Sequence, residues 1–141
     1  MKKVLIIVGA VILAVVVVVV LLRLLTPEDT WIKNDQGVMV QHGKPADVPE
    51  IVSIQERVMK AAENLYATEK AKGTDFSIGP CLSQDLLPDI TNPKDKWVLD
   101  IAHNPRTAVD NDTTNQCSAY AKGLAGHFIE LDPSGVLIRM N

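Results

Sequence analysis

The chain lacks most of the short patterns that mark an enzyme. Its 141 residues contain no G-x-S-x-G, no P-loop, no H-E-x-x-H and no G-x-G-x-x-G. The usual local signatures of acyl transfer, nucleotide binding and zinc-dependent hydrolysis are therefore missing. Cysteine occurs only at Cys81 and Cys117, with no C-x-x-C, which argues against a redox motif. His103 and His127 lie 14 and 10 residues from Cys117, a spacing unlike that of zinc ligands. Positive charge is scarce beyond residue 25, where 11 basic residues face 17 acidic ones for a net charge of −6. Such a domain is a poor candidate for nucleic-acid binding. The length excludes a multi-domain enzyme or a multi-span transporter and leaves room for one small domain.

Apolar residues are present but unevenly placed. Of the first 25 residues, 21 are apolar, whereas residues 26–141 are about 39% apolar, below the ~45–50% of an ordinary soluble domain. Val4 to Leu22 is a run of 19 residues without charge or proline, nine of them valine. As a helix it would span roughly 28 Å, close to the ~30 Å hydrocarbon core of a bilayer. Valine is a middling helix former in water, but in lipid the cost of unpaired backbone groups enforces a helix. A cleaved signal peptide would have a shorter apolar run followed by a small-residue site; Leu21-Leu22-Arg23-Leu24-Leu25-Thr26-Pro27-Glu28 offers none. The reading is an uncleaved, single-pass signal anchor over residues 1–25, in contact with lipid through residues 4–25. Lys2, Lys3 and the α-amine precede the run and only Arg23 follows closely. Flanking positive charge stays inside, so the N-terminus is expected in the cytoplasm and the C-terminal domain outside the cell membrane.

An even pair of cysteines in an oxidising compartment reads most simply as a disulfide, Cys81 to Cys117. The alternatives are two free thiols or a metal or redox pair. A cross-link closing about 37 residues is worth roughly 4 kcal/mol in the chain-entropy model, and a thin core has use for it.

Residues 26–46 read as a juxtamembrane hairpin and linker, and 47–141 as a small extracytoplasmic domain. Thr30–Lys33 and Val38–Gln41 flank Asn34-Asp35-Gln36-Gly37, a run of turn formers. Trp31 suits either a membrane interface or packing within the hairpin. Asp47 to Lys72 reads as an amphipathic helix, with Asp47 and Glu50 as a capping box, Pro49 in the first turn and Gly73 just past the end. Ile51, Ile54, Val58, Ala61, Ala62 and Leu65 follow one buried stripe. Phe76 to Pro93 reads as loop with one helical turn at Ser83–Leu87. Trp97 to His103 reads as a strand, with Trp97, Leu99 and Ile101 on one face. His127–Leu131 and Val136–Arg139 are strands joined by Asp132-Pro133-Ser134-Gly135, a type I turn signature. The expected fold is α+β: an N-terminal transmembrane helix, then one amphipathic helix packed on a three- to four-stranded antiparallel sheet.

Side chains that could carry chemistry are Asp100, His103, Asp110, Asp112, His127 and Glu130. Asp100 and His103 are three apart on a strand and so point to opposite faces; His127 and Glu130 are likewise opposed. Asp110-Asn111-Asp112-Thr113-Thr114-Asn115 begins like a calcium loop, with oxygen ligands at alternate positions, but has no Gly at position 6 and has Ala121 at position 12. Asp110 and Asp112 are thus metal candidates beside the reading of a plain solvated loop, and Asp100, His103 and His127 polar-site candidates. No catalytic residue, resident metal or cofactor is assigned.

Two resemblances bear on function. Thr30-Trp31-Ile32, Gly37-Val38-Met39-Val40, His42-Gly43-Lys44-Pro45, Trp97 through Arg106, Asn115-Gln116-Cys117 and His127 through Pro133 are similar to stretches of uncharacterised small membrane-anchored bacterial proteins. The order of membrane helix, amphipathic helix and strands with a cysteine pair resembles the plan of type IV pilins and pseudopilins. The first resemblance implies no activity; the second implies a fibre subunit. The expected function is a non-enzymatic binding or accessory module of the cell envelope, with an envelope protein as partner. The alternatives are a pilin-like structural subunit and a small metal-dependent hydrolase.

Overall fold

The computed structural model describes residues 2–25 and 29–141, with the side chains of the first helix described at Gly9 and from 11 to 22. Met1, residues 26–28 and the side chains of Lys2, Lys3 and Arg23, on which the orientation expectation draws, lie outside the described residues. The chain divides into two compact units, 1–31 with 41–47, and 32–40 with 48–141.

The first unit holds α1 (Lys2–Leu25), 24 residues in one helix. No helix among the described residues is long and apolar enough to cross a membrane; the stretch of α1 described with side chains, 11 to 22, rises about 18 Å. Trp31, read as suited to a membrane interface or to packing within the hairpin, donates its indole N–H to the Asp47 carbonyl at 2.9 Å within this unit, beyond the hairpin itself.

Strands β1 (Thr30–Lys33) and β2 (Met39–His42) form a two-stranded sheet. In the second unit the Asn34–Val38 turn closes on itself, and Gln36 is tied to the chain's last strand: its side chain donates to the Leu137 carbonyl and its own carbonyl accepts from Met140 N–H. Residues 32–40 are thus built into this unit.

Helix α2 (Glu50–Lys72) starts two residues later than the capping box at Asp47 would require. Pro49 occupies the N-cap position in extended conformation, with no side-chain cap. Proline disfavours helical geometry at the residue before it, so Val48 cannot serve as a first helical residue. The other end is as expected: Gly73 is left-handed, with φ 81°. The buried line of the helix runs through Val52, Gln55, Val58, Ala62 and Tyr66, with Ile51, Ile54, Ala61 and Leu65 half-buried beside it. Gln55 is a polar residue in this line because its amide acts like a strand edge. Its oxygen accepts from Met39 N–H at 2.8 Å and its nitrogen donates to the Gly37 carbonyl at 3.1 Å.

Strands β3 (Cys81–Ser83), β4 (Trp97–Ile101), β5 (His127–Leu131) and β6 (Leu137–Met140) form one sheet in that order. Cys81–Ser83 is an edge strand where a loop and the start of a helical turn at Ser83–Leu87 were expected, and residues 83–87 form no helical turn. The outer pairs are antiparallel as expected, but β4 and β5 run parallel, Trp97 opposite His127 through Ile101 opposite Leu131. Parallel neighbours need a long crossover, and residues 102–126, with the short α3 (Ser118–Ala121), supply it. The β5–β6 turn forms around Asp132, whose carbonyl accepts from Gly135 N–H and whose carboxylate accepts from Ser134 and Val136 N–H. Gly135, at φ 92°, lies so close to the Tyr66 ring that a Cβ would stand 2.6 Å from it.

The two sheet faces differ. Trp97, Leu99, Ile101, Ile129 and Leu131 join Val58, Ala62, Tyr66 and Phe76 in the main core under α2. The opposite face carries Val98, packed with Cys117 and Ala125, and beside it the polar residues of β4 to β6.

Candidate functional site

Cys81 and Cys117 are joined, with their Cα atoms 4.9 Å apart, and tie edge strand β3 to the crossover. The same register that sets Cys81 beside Asp100 also sets Asp100 beside Glu130 and Glu130 beside Arg139. One transverse row therefore crosses all four strands on the face away from α2. Asp100, Glu130 and Arg139 of this row line a cleft of about 300 Å³ together with Phe128, Tyr120 and Arg106.

Glu130 is 6% exposed and is held by two guanidiniums. Arg106 Nη1 donates to Oε1 at 2.8 Å; Arg139 donates from Nε to Oε2 at 2.5 Å and from Nη2 to Oε1 at 3.4 Å. A buried carboxylate requires such partners, because an unpaired buried charge is costly. Arg139 also stacks over Phe128, its Cζ 4.9 Å from the ring centre, and Tyr120 meets Phe128 edge-on at 5.1 Å.

Asp100 is treated differently. Its carboxyl lies against the disulfide, with Oδ1 3.8 Å from Cys117 Sγ, and no cation among the described residues forms an ion pair with it. Burial first, and then the neighbouring charge of Glu130, push it up to about 7. Like charges on directly adjacent strand positions repel, and Arg106 only partly offsets this.

Asp110 holds the loop that presents Arg106. Its fully enclosed carboxylate accepts from the backbone N–H groups of His103 at 3.1 Å and Thr107 at 2.6 Å, from the Thr107 hydroxyl at 2.9 Å, and faces His103 Nδ1 at 2.8 Å. Its carbonyl accepts from Arg106 Nη2 and Gln116 Nε2. Gly79 makes room for it, since a Cβ there would stand 2.8 Å from Oδ1. Burial works against its charge, but the hydrogen bonds of Thr107 and His103 outweigh it and bring the carboxyl to about 2. Asp110 therefore stabilises the fold above its ordinary value of 3.8, and that contribution is lost as pH falls through about 2. Asp110→Asn should cost at most about 2 kcal/mol at pH 7, less whatever solvent screening removes at this loop. Urea denaturation should show that the difference from the parent vanishes near pH 2; a constant difference would contradict this assignment.

The singled-out residues thus fall into separate places. His103 and Asp110 come together in the crossover loop, with Thr107 Oγ1 3.3 Å from the same Nδ1 that faces Asp110. His127 lies on the α2 side of the sheet, stacked on Trp97 at 4.7 Å, its Nδ1 2.8 Å from the Asn141 carbonyl. Asp112 caps its own turn, accepting from Thr114 N–H and hydroxyl. Asp100 and Glu130 share the cleft. Cys81, Asp100 and Cys117 bring ligand-type atoms within 4.8 Å of one another, yet the joined sulfurs offer no thiolate. No protein-family model, curated protein or solved structure matches this chain. The cleft must be read from its own residues. Arg106, Arg139, Tyr120 and Phe128 were not singled out in the sequence. One available signal was alternation: Phe128 and Glu130 share a face of β5, as Val98 and Asp100 share one of β4.

Proposed function

We propose that the chain is a single-pass, membrane-anchored module whose outer domain binds a ligand of the cell envelope without transforming it. The cleft over the free sheet face carries this reading. It is concave, has an aromatic and aliphatic side, and converges a few fixed polar groups, the usual make-up of a ligand site. The anchor rests on the 19-residue apolar run within one continuous helix. From Val11 to Leu22 its large apolar side chains are about half exposed, a surface that water penalises and lipid does not. A disulfide and an acidic outer domain fit the outward orientation.

The full chain, extracted from its native membrane in mild detergent, should sediment with membranes beforehand and be trimmed by protease added from outside. Its native mass should exceed the chain mass by a small-molecule increment that Arg139→Gln loses. Recovery in the soluble fraction would overturn the anchor, and equal bare masses for parent and variant would overturn the binding reading.

A further inference from the structure

Asp100 is the one charged side chain in the cleft without an ion-pair partner among the described residues, while the guanidiniums retain unused donors. Arg139 commits Nε and Nη2 to Glu130, leaving Nη1; Arg106 commits Nη1 to Glu130 and Nη2 to the Asp110 carbonyl, leaving Nε. A lone acceptor and two guanidiniums with spare donors thus line one small space. We propose that this cleft binds the zwitterionic head of a free α-amino acid, with the ammonium on the Asp100 carboxylate and the carboxylate on the spare donors of Arg106 and Arg139. The inference rests on the reading of the cleft as the binding site and names its ligand class.

Charge balance selects a zwitterion over the simpler ions. With Asp100 ionised, two carboxylates face two guanidiniums and the cleft is neutral, so a neutral ligand with separated charges leaves it balanced. A plain carboxylate would enter beside Glu130 and Asp100 and leave Asp100 without a cation; a plain amine would leave the guanidinium donors unspent. The planar guanidiniums suit a carboxylate. Phe128, Tyr120, Val98 and Ala121 offer an apolar side for the ligand's side chain, and about 300 Å³ is at the low end of small-molecule sites.

Binding must also displace a proton. The charged and titratable groups around Asp100 are Glu130 on β5, Arg139 on β6, Arg106 and Asp110 in the crossover loop and Tyr120 on α3, with the disulfide as a non-titrating wall. Asp100 holds its proton up to about pH 7, and an ammonium pairs with the ionised form. Affinity should therefore rise by about tenfold per pH unit below 7 and level off above it.

The test is calorimetric titration of the full chain in detergent with each of the twenty free L-amino acids at pH 8. The tightest ligand is then compared with its amide and with its deaminated acid. The expected result is measurable binding of at least one amino acid and at least tenfold weaker binding of both derivatives. Asp100→Asn and Arg139→Gln, each confirmed folded by thermal melt, should also weaken binding at least tenfold. At pH 6 binding should release a proton, read from two buffers of different ionisation heat. Equal affinity for the deaminated acid would make this an anion site, and equal affinity for the amide an amine site; either overturns the proposal. Absence of binding by all twenty would overturn it too, and would leave the broader reading standing if the small-molecule mass increment persists.

Discussion

Replacing Cys81 and Cys117 together with alanine is expected to cost about 4 kcal/mol of stability. The bond links residues 36 apart, and most of its value lies in the conformations it denies the unfolded chain. The folded state loses something as well. Strand β3 has three residues and meets its neighbour β4 across a register irregularity, so it has few ladder hydrogen bonds of its own. Cys117 also packs with Val98 and Ala125 on the free face. Urea denaturation of the full chain in detergent, followed by the fluorescence of buried Trp97, measures the change. The parent under reducing conditions should move to nearly the same midpoint as the double variant. A loss under about 1 kcal/mol would mean that the unfolded chain is already constrained in some other way.

The second large effect is one of opposite sign. Asp100→Asn should stabilise the protein at pH 8 and leave it nearly unchanged at pH 4. The folded carboxyl titrates near 7, raised by burial and by Glu130, against an ordinary value of 3.8. Between those values the folded state holds a proton that the unfolded state has released, so stability falls as pH rises from about 4 to about 7 and is flat beyond. The full difference corresponds to about 4 kcal/mol, an upper figure for a half-buried group. The amide keeps the shape and removes the charge, so it should recover much of that loss. Melting curves of parent and variant at pH 4, 6 and 8 decide the matter: a gap that widens with pH supports the assignment, and a constant gap or a less stable variant at pH 8 contradicts it. The same substitution is expected to weaken ligand binding, so stability and binding make opposing demands on this one side chain.

How far the sequence could be read depends on how local each feature is. The β5–β6 hairpin was legible because Asp132, Pro133 and Gly135 specify a turn within four residues. The α2 face of β4 was legible from the alternation of Trp97, Leu99 and Ile101. The C-terminal end of α2 was signalled by Gly73 alone. The start of α2 was misplaced because Asp47 and Glu50 have capping spacing, whereas the proline between them determines which residue can turn helical. Strand β3 was missed because its three residues lie between prolines and depend on β4 for their shape. The parallel pairing of β4 and β5 is a property of where a 25-residue crossover travels, and no residue in either strand announces it. In the same way Asp100 and Glu130 were legible as polar residues on strands, but Arg106 and Arg139 gain their meaning only when the fold brings both to Glu130.

The transverse row of Cys81, Asp100, Glu130 and Arg139 has a further effect, on the alternatives the chain must reject during folding. Side chains alternate along a strand, so a slip of one residue in β4 would turn Asp100 toward Val58 and Ala62 and expose Leu99 in its place. A slip in β5 would do the same to Glu130 and strand both arginines. Each wrong pairing would bury a carboxylate among aliphatic groups, a penalty of several kcal/mol. The charges that shape the cleft therefore also discriminate against misregistered sheets, and a chain that has folded to completion carries its cleft already assembled.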